Sequence, residues 1–432
     1  MNNWETKKLG EITSWFSGGT PKKDEPVYWN GEIPWISANS MDGTRYHTSD
    51  LKITAEGLKN GSRLAPQDAL LLLVRGGALH TKIPMGIARR PLAFNQDVKA
   101  IVVKPEFIDP WFLLAWFMSK RDYLLNNIVE YTGIGAGKLD TVRLQNLEIN
   151  LPPIKEQKSL AHIVNCLEEK FELNQCINET LEGIAQALFK SWFVDFDPVK
   201  AKAEGREPEG MDDATAALFP SAFTESNLGF IPEGWFLGKL GDIADNPRTG
   251  VQPTEISSDV PYIGLEHMPR RSISLYEWEG AGKVTSTKSA MQTGDFLFGK
   301  LRPYFHKVGI SPINGITSTD ILIVRPKLDC FYSYLLMLIS SVPFVEYTNK
   351  TSQGTKMPRT NWRDMSRYES TFPDEQVFIA YDTLVRPMFH RITANIHENR
   401  TLVDIRDNLL PKLISGKLRV GEISETVEAL AS

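Results

Sequence analysis

Apolar and polar positions follow two textures along this chain, and each appears twice. Up to about residue 150, short apolar runs are punctuated by turn chemistry at Gly18-Gly19-Thr20-Pro21, Trp29-Asn30-Gly31 and Arg75-Gly76-Gly77. The texture returns over 227–370, with turns at Arg302-Pro303 and Pro312-Ile313-Asn314-Gly315. Such spacing predicts short strands in mixed α/β or mostly β domains. Helical interruptions are expected over 110–126 and 331–341, where apolar residues cluster.

Between and after these blocks the apolar period becomes helical. Leu160, Ile163, Leu167, Ile177, Leu181, Ile184 and Leu188 recur at three and four residues over 156–193, with Asn174 on an a-type position. Val385, Met388, Ile392, Leu402, Leu409 and Leu413 do the same over 374–415, interrupted by Asn395 and Asn399, with Gly416 as the stop. Helices of ~40 residues would each be ~60 Å long. Such a stripe can be buried on its own domain or on the other helix. Asn at core positions favours pairing, because buried Asn sets coiled-coil register at a cost in stability. Antiparallel pairing would put the two globular domains at opposite ends of a spacer.

The two halves are also alike in sequence. Trp4, Lys8, Leu9, Gly10 and Ile12 return as Trp235, Lys239, Leu240, Gly241 and Ile243, and Ile33-Pro34-Trp35-Ile36 as Val260-Pro261-Tyr262-Ile263. Asp68 with Arg75 returns as Asp295 with Arg302, and Gly86-Ile87 as Gly309-Ile310. In the helical parts Ala161, Asn174, Asn178, Leu181 and Leu188 match Ala380, Asn395, Asn399, Leu402 and Leu409. The order never breaks, so the chain is read as a duplication whose unit is a domain plus a helix. The blocks are 1–150, 151–226 (first helix and connector), 227–370 and 371–432 (second helix and tail).

Composition narrows the class. A 42% hydrophobic and 23% charged chain of 432 residues is a folded protein of several domains. Three cysteines, Cys166, Cys176 and Cys330, neither frame a disulfide scaffold nor complete a zinc site, which fits a reducing cytoplasm. Residues 1–10 hold no signal-peptide apolar run, and the longest apolar stretches, 69–74 and 111–118, fall short of the ~20 residues that span a bilayer. Net charge is −5, but it is patterned. Lys+Arg against Asp+Glu is 18 to 16 over 1–150 and 16 to 14 over 227–370, each +2, whereas 151–226 (7 to 14) and 371–432 (7 to 9) are acidic.

Catalytic constellations do not emerge. Gly133-Ile134-Gly135-Ala136-Gly137-Lys138 fails the Walker pattern at Thr132 and Leu139 and reads as a glycine-rich turn. The seven histidines do not pair at metal-ligand spacing, His162 reads as a helix-surface residue, and no Gly-x-Ser-x-Gly elbow occurs. Glu5-Thr6-Lys7 and Glu168-Glu169-Lys170 are two-position matches to a nuclease pattern and are set aside. What remains is basic and polar side chains in turn-rich segments, able to hold phosphates or read base edges. In the first block these are Arg45, His47, Arg75, Lys82, Arg89, Arg90 and Lys138. In the second they are Arg248, Arg270, Arg271, Lys300, Arg302, Tyr304, Lys307, Gln353, Lys356, Arg359 and Asn361. For any one of them, solvated surface is the competing reading.

Three stretches add a resemblance. Leu188-Phe189-Lys190-Ser191-Trp192-Phe193-Val194-Asp195-Phe196-Asp197-Pro198-Val199, then Gly210-Met211-Asp212 on to Leu218-Phe219-Pro220, then Gly229-Phe230-Ile231-Pro232-Glu233-Gly234-Trp235, are similar to the specificity subunit of type I restriction-modification enzymes. The run Leu409-Leu410-Pro411-Lys412-Leu413-Ile414-Ser415-Gly416 resembles the end of that family's second helix. The resemblance implies an α+β chain in which two mixed α/β target recognition domains are separated by two long antiparallel helices, a coiled-coil spacer with a pseudo-two-fold internal repeat. It implies that each domain reads half of a split sequence in double-stranded DNA. Two modification subunits would dock and methylate adenine, and restriction subunits would join them. S-adenosylmethionine, ATP and Mg would sit on those partners, with no catalytic residue, cofactor or metal in this chain. The competing readings are the specificity region of a single-chain restriction-modification enzyme with its own catalysis, and a scaffold with no DNA role.

Overall fold

The structure is a computed structural model that describes residues 4–131, 135–354 and 356–419. It divides into two units, 1–172 with 401–432 and 173–400. Each unit therefore holds one globular domain and a stretch of both long helices, Ile154–Phe193 and Glu375–Ile414.

In the first unit, strand Glu5–Lys8 pairs antiparallel with Glu148–Leu151 and ties the two ends of the domain together. The main sheet runs Thr13–Ser17, Val98–Val103, Leu70–Leu73, Met85–Ala88, Arg45–Tyr46, with the last pair parallel. Leu70, Leu71, Leu72 and Leu73 are all buried, because both faces of this central strand are covered. Helix Pro110–Ser119, capped by Asp109, buries every residue from Phe112 to Met118. A smaller sheet orders Lys52–Ile53, Trp29–Ile36, Leu92–Phe94 and Arg63–Ala65. The turn signal at Trp29-Asn30-Gly31 is here a bulge inside the strand, with Asn30 at φ 60°. Leu160, Ala161 and Val164 of the first long helix and Leu410, Leu413 and Ile414 of the second close the same core. Gln157 locks the helix start, donating to Phe107 O and Pro152 O and accepting from Asp109 N.

The second unit repeats the plan. Phe236–Lys239 pairs with Glu369–Phe372, as the terminal strands do in the first. The main sheet runs Ala244–Asp245, Ile321–Pro326, Phe296–Gly299, Val308–Ile310, and Ser274 adds a parallel bridge to Ile310 where the first domain has Arg45–Tyr46. Pro261–Ile263 and Gly315–Thr317 pair in parallel, like Trp29–Ile36 and Leu92–Phe94. The helical segment expected at 331–341 is longer: Tyr332–Ser340 is followed by Val342–Lys350, entered through Pro343 and capped by Ser341.

The stretches that carry the family resemblance converge on one aromatic core. Phe193 lies edge-on to Tyr334 and Tyr381 at 4.9 and 5.0 Å, Trp192 to Phe219 at 5.1 Å, and Phe196 to Trp235 at 5.7 Å. Phe196 adopts φ 57°, which turns the chain out of the long helix into Asp197–Ala203.

The two long helices pair antiparallel. In the second unit Asn174 donates to Asn399 at 2.9 Å and to Glu398 at 2.8 Å, Asn395 donates to Asn178 at 2.8 Å, and Tyr381 donates to Ala185 O at 3.0 Å. In the first unit Arg406 donates to Glu168 at 2.8 Å. Of the expected seam, Leu160, Asn174, Val385, Ile392, Asn395 and Asn399 are buried, and Met388, Leu402 and Leu409 are half-buried. The first helix corrects the expectation. Ile184 is 41% exposed and Ile163, Leu167, Ile177, Leu181 and Leu188 are only half-buried, whereas Val164, Glu168, Asn178, Ala185 and Phe189 are buried, as is Glu182, which turns to Ile273 N and Ser272 of the domain. The stripe is rotated by one residue, about 100°, because much of what it buries is polar. Gly416, at φ 69°, ends the second helix, with Lys417 N donating to Lys412 O.

Two measurable consequences follow from this packing. Asn178→Ala strands the Asn395 amide in the seam and should lower stability by about 1–3 kcal/mol, while Asn178→Leu with Asn395→Leu should be close to neutral; urea unfolding of the three proteins separates the cases. The second concerns His306, buried with its Nε2 2.7 Å from Ser340 O. Burial holds its pKa below the ordinary value, against the Ser340 bond, and Arg271 adds to the lowering. An unfolded chain thus takes the proton first as pH falls, so stability is lost from about pH 6.5 downward until the lowered pKa is passed. His306→Asn, tolerated at φ 52°, should flatten that limb in melts recorded across the range.

Candidate nucleic-acid interface

In both domains the central strand runs out of the main sheet and pairs with a late segment of the same domain. In the first, Leu70–Leu73 continues through Val74, which accepts from Leu139 N, into Arg75–Gly76. That strand pairs antiparallel with Gly137–Leu139, which pairs with Val129–Tyr131. Directly opposed residues share a face, so Arg75, Lys138 and Glu130 lie on one side of this ribbon and Gly76, Gly137 and Tyr131 on the other. Glycine is required at 137, because a Cβ there would meet Leu79 Cβ at 2.7 Å. Arg75 and Lys138 are exposed, and Glu130 is engaged by Arg143 at 3.4 Å. Beyond Gly76 the turn Gly77–His80 brings His80 onto Tyr131, with ring centroids 4.8 Å apart and planes at 15°. Lys82 is exposed just after it.

In the second domain Phe296–Gly299 leads to Lys300, Leu301 and Arg302. Leu301 bridges to Arg359, Gln353 also bridges to Arg359, and Thr360 N donates to Lys300 O at 3.0 Å. This is the counterpart of the Arg75–Lys138 pairing. Gln353, Lys356 and Arg359 are exposed along it, Arg359 sharing an ion pair with Asp320 at 3.4 Å. The adjoining turn Pro303–Phe305 is flanked by Arg302 and His306, both at φ 52°, and Arg302 Nε is buried without a hydrogen-bond partner. Non-glycine residues in this region carry strain of order 1–3 kcal/mol, and such strain clusters at functional segments. Arg270 stacks on Phe305 at 4.1 Å, and Tyr304 beside it is 49% exposed.

The structure thus gathers Arg75 with Lys138 in one domain, and Lys300, Arg302, Tyr304, Gln353, Lys356 and Arg359 with Arg270 in the other. It removes three residues from the expected set. Arg45 has a side chain only 7% exposed, donates to Asn165, pairs with Glu169 at 3.1 Å and Glu172 at 3.4 Å, and lies over Trp111. It fastens the domain to the first long helix. Asn361 caps the helical turn Trp362–Met365 and bonds both ways to Asp364. Lys307 donates to Leu265 O from a half-buried site, where burial holds its pKa below the ordinary lysine value. Arg89 packs on Trp111 and pairs with Asp68 at 3.9 Å. His47 is exposed on the same side; desolvation, then Arg89 and Arg45, holds its pKa below the ordinary value. Arg90 and Arg248 are exposed away from the ribbons' pairing, Arg248 donating to Asn246 at 3.0 Å. Arg271 is exposed and its backbone donates to His306 O.

Two residues of the first ribbon, His80 and Tyr131, were not among the expected set. Their signal was the alternation Val129-Glu130-Tyr131 beside a glycine pair, which puts an aromatic and an acid on opposite faces. Of the glycine-rich turn, Gly133 and Ile134 lie outside the described residues.

Other chemistry is thin. Glu266, His267 and Glu279 bring their ligand atoms within 4.8 Å. However, Gly264 N donates to His267 Nδ1 at 2.9 Å, which leaves the ring proton on Nε2 rather than a free second lone pair. A cavity of about 510 Å³ in the second unit is lined by Phe189, Phe193, His306 and Met337. Its buried Glu182 already accepts from Ile273 N, Ser272 and Gln186. The three cysteines are free, Cys166 lying 3.7 Å from the exposed His162. Among the described residues no single helix is long and apolar enough to cross a membrane.

Residues 1–183 match the family model described as the type I restriction modification DNA specificity domain. The specificity subunit of the type I restriction enzyme MjaIX from Methanocaldococcus jannaschii is 25% identical over 98% of this chain and 95% of its own length. That of HindI from Haemophilus influenzae is 25% identical over 97% of this chain and its full length. That of EcoR124I/EcoR124II from Escherichia coli is 31% identical over 43% of this chain and 44% of its own length. The fold is shared with the type I restriction-modification S subunit from M. genitalium, at a TM-score of 0.56 and 12% identity over 96% of this chain and 97% of that one. The chain is thus similar over residues 1–183 to the type I DNA specificity domain, and over nearly its whole length to specificity subunits of type I restriction enzymes.

Proposed function

We propose that this chain is the sequence-reading, non-catalytic subunit of a type I restriction-modification complex, each domain reading one half of a bipartite DNA target. The observation that carries the reading is the repeated ribbon. In both halves the strand leaving the buried sheet pairs with a late segment that carries a basic residue: Arg75 opposes Lys138, and Leu301, between Lys300 and Arg302, opposes Arg359. Arg and Lys so placed hold phosphates, and Arg and Gln reach base edges in the major groove, which admits a two-stranded ribbon. The acidic blocks over the long helices suit a part that stays off the DNA backbone. In this reading the paired helices set the number of unspecified base pairs between the half-sites.

The domains are 1–150 and 227–370, with 151–226 and 371–432 as helix-bearing connectors. Two modification subunits dock on the chain, bind S-adenosylmethionine and methylate adenine N6 after flipping the base from the duplex. Restriction subunits with ATP and Mg complete the nuclease, and the assembly works in the cytoplasm.

Expressing the chain with its modification partner and sequencing the methylated positions tests this directly: the expected product is a split motif of two half-sites. Replacing residues 1–150 by those of another family member should change one half-site only. Lys138→Ala should weaken binding about equally for all sequences and reduce the slope of log affinity against log salt by about 1. Methyl transfer by the chain alone would overturn the non-catalytic assignment.

A further inference from the structure

We propose that His80, stacked on Tyr131, reads one base pair of the first half-site through its Nδ1 acceptor. The inference rests on the DNA-reading role above and adds a specificity-determining residue to it. His80 is exposed and Tyr131 is 56% exposed, yet their rings are nearly parallel at 4.8 Å. An exposed aromatic pair gains little from burial, so its use lies in presenting a flat, ordered surface. The ring is also held at its edge. His80 Nε2 lies 2.8 Å from Gly135 O. A carbonyl only accepts, so Nε2 carries a proton, and the tautomer this selects has Nδ1 as its acceptor.

A fixed acceptor is a discriminating group. It matches an exocyclic amine, adenine N6 or cytosine N4, and opposes the carbonyl that thymine or guanine puts at the same place. It stands beyond the ribbon whose other face carries Arg75 and Lys138. The cations are on the face that lacks the rings, so the basic pair holds register while the stacked pair reads.

The test uses the full chain expressed with its modification partner, acting on a DNA library randomised through both half-sites. His80→Phe keeps a stacking ring and removes the acceptor; Tyr131→Ala removes the support. Both should cut the preference at the same single base pair of the first half-site by roughly tenfold, leaving the second half-site as in the wild type. An equal loss on every sequence would make His80 a backbone contact and overturn the inference, as would an unchanged preference. Loss of the folded state in both variants, read from their melts, would make the pair structural and overturn it too. A wild-type chain without any split preference would instead sink the DNA-reading role itself.

Discussion

The helix seam constrains everything else in this chain, and it is a polar seam. Asn174 with Asn399 and Asn178 with Asn395 face each other one turn apart, all four nearly or fully buried. Buried amides are costly unless paired. Sliding one helix by a turn would set Asn178 against Arg391 and leave Asn399 facing Lys170, so only the observed register joins both pairs, even though Asn174 Oδ1 and Asn395 Oδ1 are left without a hydrogen-bond partner. Glu168 and Arg406, with side chains 6% and 9% exposed, enforce the same choice in the other unit. Such a pair contributes little net stability relative to apolar residues, but losing one partner leaves a buried charge. The seam is thus specified in register more than it is stabilised.

That polarity also explains what the sequence did and did not disclose. The duplication was legible, because matching residues such as Trp4 with Trp235 and Leu9 with Leu240 keep their order, and the structure repeats the same strand pairings. Helix lengths were legible to within two residues at either end. The seam of the first helix was misplaced by one residue, since hydrophobicity points to Ile184 and Leu167 while the buried positions are held by Glu168, Asn178 and Glu182. In the second helix the pattern and the burial agree at Val385, Ile392, Asn395 and Asn399, but Phe389, Arg406 and Leu410 are buried where Met388, Leu402 and Leu409 were expected.

The interface was legible only by residue type. Arg45 looks like a phosphate ligand in sequence, and nothing local shows that Asn165, Glu169 and Glu172, more than a hundred residues later, neutralise it. Conversely, His80 and Tyr131 are fifty-one residues apart, and only the pairing of Gly76 with Gly137 brings them together. Side chains that look free in a sequence divide into committed and uncommitted ones only after the fold is known.

The two domains solve the same geometric problem differently. Where the central strand leaves the sheet, the first domain uses Gly76, at φ 154°, and a Gly137 that no larger residue could replace. The second uses Arg302 and His306 in the left-handed region, at a conformational cost that the packing of Phe305 against Arg270 and the His306 bond to Ser340 offset. In both, the backbone of the ribbon is fixed by a strand that is wholly buried, while the side chains it turns outward touch little of the core. Their identity can therefore change without unfolding the domain. A domain built this way keeps its scaffold constant while its outward side chains are free to vary, because stability draws on the buried face of these few residues and not on the exposed one.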